Sequence, residues 1–330
     1  MLTGKQVLVT GATGFLGGAL VRRLSADGAQ VRALARRPGR DDYIKDLTDV
    51  TTVMGDVTDP ASLEEAMQGV EIVFHVAAMA WGPLKKQRVV NVTGTRNVAQ
   101  AATEAGVKRL VHVSTVSVYG YRNQGRVTEK TPLHPGSPPY AHSKAEGEAA
   151  LRAAVEKTHL DYAIVRPGMI YGPRSTSWTR GLFRLAKLRP TPWLGDGSGT
   201  AFPIYVDDVV SLMIAAATHP AAVGEAFNVT PDPSPTWREF LGYYQALAGH
   251  QGWVGLPLIR LVKIIAPLVD AILTLRGEPQ DIGRLVDQMS KQTTYSNEKA
   301  KTLLGWEPQV SLAEGVQYCV PYLQEEGLLP

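Results

Sequence analysis

Short apolar runs alternate with helically spaced apolar residues along the first half of the chain. Val7, Leu8 and Val9, in a run that begins at Gln6, have the continuous apolar character of a strand buried on both faces. Beyond a glycine-containing turn, Leu16, Leu20, Val21 and Leu24 recur at helical spacing and predict a helix over 15–26. Residues 29–34 predict a second strand and 52–54 a third. Asp59 followed by Pro60 has the form of a helix start, with the helix running over 61–67. Strands follow at 72–76, 110–113 and 162–165, separated by helices over 89–105, stopped by Gly106, and over 140–157. Strand and helix in strict alternation predict an α/β fold built on a doubly wound parallel sheet covered on both faces.

The pattern changes after Arg166-Pro167. Residues 172–203 are rich in Pro, Gly, Trp and Arg and predict an excursion of loops and helix. Residues 204–217 and 226–229 predict a return to the sheet, and from Pro231 the chain is mainly helical. The expected division is a cofactor domain over 1–168 with returning segments at 204–229, and a substrate domain over 169–203 and 230–330. The segment 256–275 is mostly apolar but carries Pro257, Arg260, Lys263, Pro267 and Asp270. Those charges and prolines speak against a spanning helix. A helix packed over a greasy pocket is the first reading, and peripheral membrane contact the second.

Composition narrows the class. A chain of 330 residues with 44% hydrophobic and 20% charged residues has the balance of a globular enzyme. The net charge of +3 and the lack of a long basic run argue against a nucleic-acid partner. The single cysteine, Cys319, excludes an intrachain disulfide and a CxxC metal knuckle, and no metal is expected. A strand starting at Gln6 leaves no room for a signal peptide, and a cytoplasmic setting, with membrane association as its variant, fits.

Gly11, Gly14 and Gly17 fall between the first strand and the first helix in the run Thr10-Gly11-Ala12-Thr13-Gly14-Phe15-Leu16-Gly17. Glycine there permits a tight turn, close approach of backbone to a pyrophosphate and close helix–strand packing, while the helix N-terminus presents N–H groups to phosphate. A nicotinamide dinucleotide is therefore expected. At the end of the second strand, where an acidic residue would take the ribose hydroxyls, stands Ala35, followed by Arg36 and Arg37. Guanidinium groups suit a 2′-phosphate, so NADP(H) is favoured over NAD(H). Asp56, before Val57, is either an acceptor for the adenine amino group or a turn cap.

Tyr140 and Lys144 are four apart at a helix start and face the same way. A phenol of pKa about 10 is a poor proton carrier at neutral pH, and a neighbouring ammonium is expected to lower it. Such a tyrosine protonates a carbonyl oxygen during reduction or deprotonates an alcohol during oxidation. Ser114, Thr115 and Ser117 lie at the carboxyl end of the fifth strand, where open parallel sheets bind ligands.

Together these motifs resemble the extended branch of the short-chain dehydrogenase/reductase superfamily over most of the chain. Besides the glycine turn, the matching segments are His75-Val76-Ala77-Ala78, Asn91-Val92-Thr93-Gly94-Thr95, Ser114-Thr115 with Tyr119-Gly120, Tyr140 to Lys144, Arg166-Pro167-Gly168, Tyr171-Gly172-Pro173, Val206-Asp207-Asp208-Val209 and Leu304 to Pro308. The resemblance implies a Rossmann-type domain with a smaller, mainly helical C-terminal substrate domain, and a homodimer paired through the helices holding Asn91 and Tyr140. It implies cofactor contacts from Gly11, Thr13, Gly14, Phe15, Leu16, Gly17, Arg36, Arg37, Asp56, Val57, Ala77, Ala78, Tyr140, Lys144, Pro167, Gly168, Met169 and Ile170. Thr115, four residues before Tyr119, becomes the catalytic hydroxyl, and Asn91 orders a proton-relay water. Met79, Trp81, Ser117, Arg174, Trp178 and Phe183 are candidate substrate contacts. His75 and His142 are expected to be structural or superficial, and Asp207 and Asp208 to cap a helix.

Three departures separate this chain from the sugar-nucleotide members it resembles. They often carry an acid after the second strand, an arginine shortly before Val-Asp-Asp, and, in dehydratases, Asp-Glu after the catalytic threonine. Here those positions hold Ala35, the cation-free run Gly199-Thr200-Ala201-Phe202-Pro203, and Val116-Ser117. The apolar segment 256–275 is similar to that of hydroxysteroid-dehydrogenase-like members, and the run from Val31 to Arg36 to the NADP turn of dihydroflavonol-reductase-like ones. The expected reaction is NADP(H)-dependent interconversion of a ketone and a secondary alcohol on a hydrophobic small molecule. Sugar-nucleotide epimerisation or dehydration, and NADP(H) sensing without turnover, are the alternatives.

Overall fold

The computed structural model describes residues 2–39, 42–120, 125–256, 259–275, 286 and 289–330. Its main sheet runs Ala226–Val229, Asp161–Pro167, Arg109–Val113, Ile72–His75, Gln6–Thr10, Gln30–Ala35, Val50–Met54, and every neighbouring pair is parallel. Strand order reverses beside Gln6–Thr10, which opens a crevice at the carboxyl ends of the strands. Successive side chains point to opposite faces, so each strand feeds two cores. Val7, Val9, Phe74 and Val111 pack with Leu20, Leu24 and the helix Val206–Thr218 on one side. Leu8, Val73, Leu110 and Ile164 pack with Val98, Ala102 and Leu151 on the other. Burial on both faces explains why the strands read as unbroken apolar runs.

Two helices carry the candidate residues Asn91, Tyr140 and Lys144. The central one begins at Leu84–Arg88, widens through a π-turn at Val89–Thr93 and continues as Gly94–Glu104. Its first turn is too basic to show apolar periodicity, so the expected start at residue 89 falls short. The second helix, Pro139–Val155, crosses it closely. A side chain at Gly147 would place its Cβ 2.5 Å from the Asn91 carbonyl oxygen, and one at Gly94 would meet Val57 at 2.8 Å.

The second half departs further from expectation. Residues 204–217 were expected to return to the sheet. Only Pro203–Tyr205 is a strand, paired with Met169–Tyr171 in a separate two-stranded sheet, and Val206–Thr218 is a helix against Phe15–Ala26. The β-branched residues of that helix suggest a strand, but Val206, Val209, Val210 and Met213 have helical spacing and are buried. Ala226–Val229 does close the main sheet. Two more small parallel pairs, Thr191–Leu194 with Trp253–Leu256 and Gly125–Val127 with Thr293–Tyr295, were not anticipated.

In the apolar segment, Pro257 and Leu258 lie outside the described residues, and Ile259–Leu275 is one helix with Pro267 inside. Ala266 is buried, but Ile264, Ile265, Leu268, Ile272 and Leu275 are exposed, which runs against a helix packed over a pocket. Among the described residues, no helix is long and apolar enough to cross a membrane.

Candidate active site

The glycine turn is built as its residues require. Gly11 has φ +69°, a conformation that disfavours a side chain, and an added Cβ would lie 2.8 Å from the Ala77 nitrogen. A Cβ on Gly17 would strike the Gly11 carbonyl. Thr13 and Phe15 are half-buried, Gly14 is exposed, and Leu16 and Gly17 are buried at the start of the helix. This cradle fits a dinucleotide pyrophosphate, with backbone N–H groups and the helix dipole for its charge.

Below the turn runs a hydrogen-bond chain whose direction can be assigned. Ala77 N–H donates to Thr10 Oγ1 at 3.2 Å, and Thr10 Oγ1 lies 2.8 Å from His75 Nδ1. His75 Nε2 lies 3.0 Å from Thr95 Oγ1, whose hydroxyl proton goes to the Asn91 carbonyl at 2.7 Å. Thr95 therefore accepts from His75, the ring carries its proton on Nε2, and Thr10 donates to Nδ1. Burial, and secondarily the Lys144 charge, push His75 down to about 3, so the ring is neutral. His75 is structural, as expected.

Asn91 is buried within the π-turn, and its side chain is fully engaged. It accepts from Met79 N–H at 2.7 Å and donates to the Met79 carbonyl and to Ser143 Oγ, both at 2.9 Å. π-turns gather at functional sites. Here one ties the strand-end loop to the active helix.

Tyr140 and Lys144 stand on that helix, with Lys144 only 1% exposed. Its Nζ lies 3.4 Å from His112 Nε2. Burial pushes the Tyr140 phenol up to about 12, and Lys144 does not offset the shift. The expected lowering of the phenol by the ammonium does not show: desolvation at this half-buried position raises it instead. Burial also lowers Lys144 to about 8, against a smaller upward pull from Glu148. Thr115 caps the short helix Val116–Tyr119, accepting from Ser117 N–H and donating to Ser117 Oγ, each at 3.2 Å.

One turn beyond Lys144, Glu148 takes a bidentate ion pair from Arg166 at 2.8 and 2.6 Å, and Arg166 also donates to Tyr119 at 2.7 Å. This buried network fixes the active helix against the strand that leads into Pro167 and Gly168. Gly168 and Met169 use their N–H groups on Val229 and Phe202, and Ile170 is half-buried.

The remaining candidates divide. Arg36 and Arg37 are exposed just past the second strand, and Ala77 and Ala78 lie along the strand-end loop. Asp56 caps its own turn through Thr58, and Val57 is core beneath the central helix. Met79 is half-buried, but Trp81 is 80% exposed and forms no pocket wall. Phe183 is fully buried against Tyr244 and belongs to the core, and half-buried Trp178 packs towards Trp237 against that core. Arg174, at φ +73°, lays its guanidinium 3.9 Å from the centre of the Tyr43 ring, which accounts for it without an anionic substrate. His142 is superficial, and Asp208 accepts from Gln309 and Val310 N–H. Among the described residues, no cluster suited to a metal is present. Two surface cavities, of about 510 and 350 Å³, lie away from Tyr140 and Thr115.

Sequence reasoning missed Ser143, Glu148 and, above all, His112. Its signal is visible only in register, where His75 and His112 are directly paired on neighbouring strands with ring centres 5.2 Å apart.

This fold and site define a nicotinamide-dependent enzyme of the extended short-chain dehydrogenase/reductase type. Residues 7–230 match the model of the NAD dependent epimerase/dehydratase family, and the chain belongs to that family. It is 33% identical to a UDP-glucose 4-epimerase of Mycolicibacterium smegmatis, over 98% of this chain and 99% of that protein. It is 33% identical to a ceramide reductase of Caulobacter vibrioides, over 98% and 96% of the two chains. It is 31% identical to a 2-alkyl-3-oxoalkanoate reductase of Stenotrophomonas maltophilia, over 94% and 97%.

Proposed function

We propose that this enzyme interconverts a ketone and a secondary alcohol on a hydrophobic small molecule, using NADP(H). The observation that carries the reading is the cation-free, apolar stretch at Ala201 and Phe202. Both are buried, and Phe202 packs edge-on against Tyr295 with ring centres 4.7 Å apart. Sugar-nucleotide relatives often need a cation near this position for their diphosphate, and apolar residues cannot supply one. Two relatives named as reductases of ceramide and of 2-alkyl-3-oxoalkanoates point the same way, to a keto group on an aliphatic chain.

The glycine turn, Tyr140 and Lys144 hold the cofactor, which supplies the hydride when bound. Tyr140, kept protonated by burial, gives its proton to the substrate oxygen during reduction. Thr115 positions that oxygen, and the Lys144 ammonium stabilises the negative charge that develops on the phenol. Arg36, with Arg37 beside it and no carboxylate at Ala35, favours a 2′-phosphate. Arg36→Ser should lower the preference for NADPH over NADH about 10- to 100-fold, the worth of a hydrogen bond to a charged group.

The exposed apolar face of Ile259–Leu275 supports a membrane-surface contact, which liposome flotation tests directly. Pairing of two copies through the helices holding Asn91 and Tyr140 is the expected assembly, and light scattering reads it. For the reaction itself, NADPH consumption is followed with β-keto acyl compounds, ketosteroids and flavonoid ketones beside nucleotide sugars. Turnover on an apolar ketone supports the reading. Isomerisation of a nucleotide sugar without net NADPH loss would sink it in favour of an epimerase, the second reading that the Mycolicibacterium relative supports.

A further inference from the structure

Behind the catalytic helix lies a histidine to which the reaction gives no part. His112 is completely buried on the strand Arg109–Val113, and among the described residues the hydrogen bond of Lys144 is to its Nε2. An ammonium can only donate. Nε2 must then be the bare, accepting nitrogen, and the ring proton sits on Nδ1. That Nδ1 is buried and meets no partner among the described residues. His75, its neighbour in register, has both ring nitrogens engaged by threonines. Among the described residues, the one hydrogen bond of the His112 side chain is thus the long one to Lys144, at 3.4 Å.

We propose that His112 is a positioning residue for Lys144, its neutral ring accepting a hydrogen bond from the ammonium and holding it on the helix face that Lys144 shares with Tyr140. The inference rests on the reading of Lys144 as the partner of Tyr140.

The surroundings favour this assignment. Burial, then the Lys144 charge and then His75, hold His112 well below the usual histidine range, so the ring does not compete for a proton. The charged and titratable groups around the pair are His75 on the next strand, Tyr140 and Glu148 on the active helix, and Arg166, which Glu148 already pairs. The central helix contributes Asn91 and Thr95, which are uncharged and committed to each other and to Met79. His112 is therefore the neutral acceptor that offsets the desolvation of the Lys144 ammonium. Without it the charged form is disfavoured, and Lys144 loses its proton at lower pH.

The test compares wild type, His112→Leu and His112→Gln. In His112→Leu the alkaline limb of kcat/KM should move about 1–2 pH units lower, the shift expected from losing one hydrogen bond to a charged group. His112→Gln, whose amide oxygen can accept, should restore the limb towards wild type. Lower amplitude in both variants with the limb unmoved would mean that His112 only fills space, and would overturn the proposal. A second readout needs no substrate and remains valid even if the reductase reading fails. In protein labelled with 15N-histidine, where His112→Gln assigns one of the seven histidines, His112 should appear as the Nδ1–H tautomer and stay neutral at pH 6. It should lose that preference in Lys144→Met. An Nε2–H tautomer, or a ring that titrates near 6.5, would contradict it.

Discussion

Two adjoining regions of the crevice are finished differently. Under the cofactor turn, every donor from Ala77 through Thr10, His75 and Thr95 to the Asn91 carbonyl has its acceptor. At the catalytic wall beside it, Ser114 Oγ and His112 Nδ1 are buried without partners among the described residues, and Lys144 rests on one long hydrogen bond. Closed networks are rigid, whereas buried polar groups left open are costly and concentrate where chemistry is done. The floor is thus closed by bonds within the protein, and the region beside it keeps polar atoms without partners among the described residues.

Changes at the wall should remove activity and spare stability, and changes at the floor should do the reverse. The largest effect is expected from Tyr140→Phe, which removes the proposed proton donor and should lower kcat about 10²–10⁴-fold in NADPH-consumption assays, with the unfolding midpoint nearly unchanged. Arg166→Met should destabilise the fold by about 3–5 kcal/mol in urea denaturation, because it strands the Glu148 carboxylate in a buried site. Thr95→Val breaks the floor chain and leaves His75 Nε2–H without an acceptor, a loss of about 1–3 kcal/mol in the same measurement. The smallest effect is graded with pH. Lys144, lowered to about 8 by burial, should give kcat/KM an alkaline limb near pH 8. Between about 8 and 10.5 the unfolded chain holds this proton and the folded one does not, so the contribution of Lys144 to stability rises with pH as activity falls.

The same contrast decides what could be read from the sequence. Strands buried on both faces and helices with apolar stripes announce themselves locally, so the sheet, the glycine turn and the Tyr140–Lys144 helix were legible. Outside the main sheet the chain forms three- and four-residue strands such as Gly125–Val127 and Thr191–Leu194, whose partners lie far along the chain and leave no periodic trace. Side-chain assignments failed for a related reason. Trp178 and Phe183 look alike as pocket or as core until packing buries Phe183 and lays Trp178 against the core. His112 means nothing until strand register sets it beside His75 and Lys144. The direction of the Tyr140 shift differs from expectation because pair spacing reveals the neighbouring charge but not the desolvation by the surrounding protein.

The most direct measurement is the fate of the hydride. NADPH carrying deuterium at C4 would be incubated with an apolar β-keto substrate and, separately, with UDP-glucose, and the products examined by mass spectrometry and NMR. The expected result is one deuterium on the carbinol carbon of a reduced aliphatic product, with stoichiometric NADP formed. A UDP-sugar epimer formed with no deuterium incorporated and no NADPH consumed, with the ketone untouched, would contradict the assignment of this enzyme as a ketone reductase.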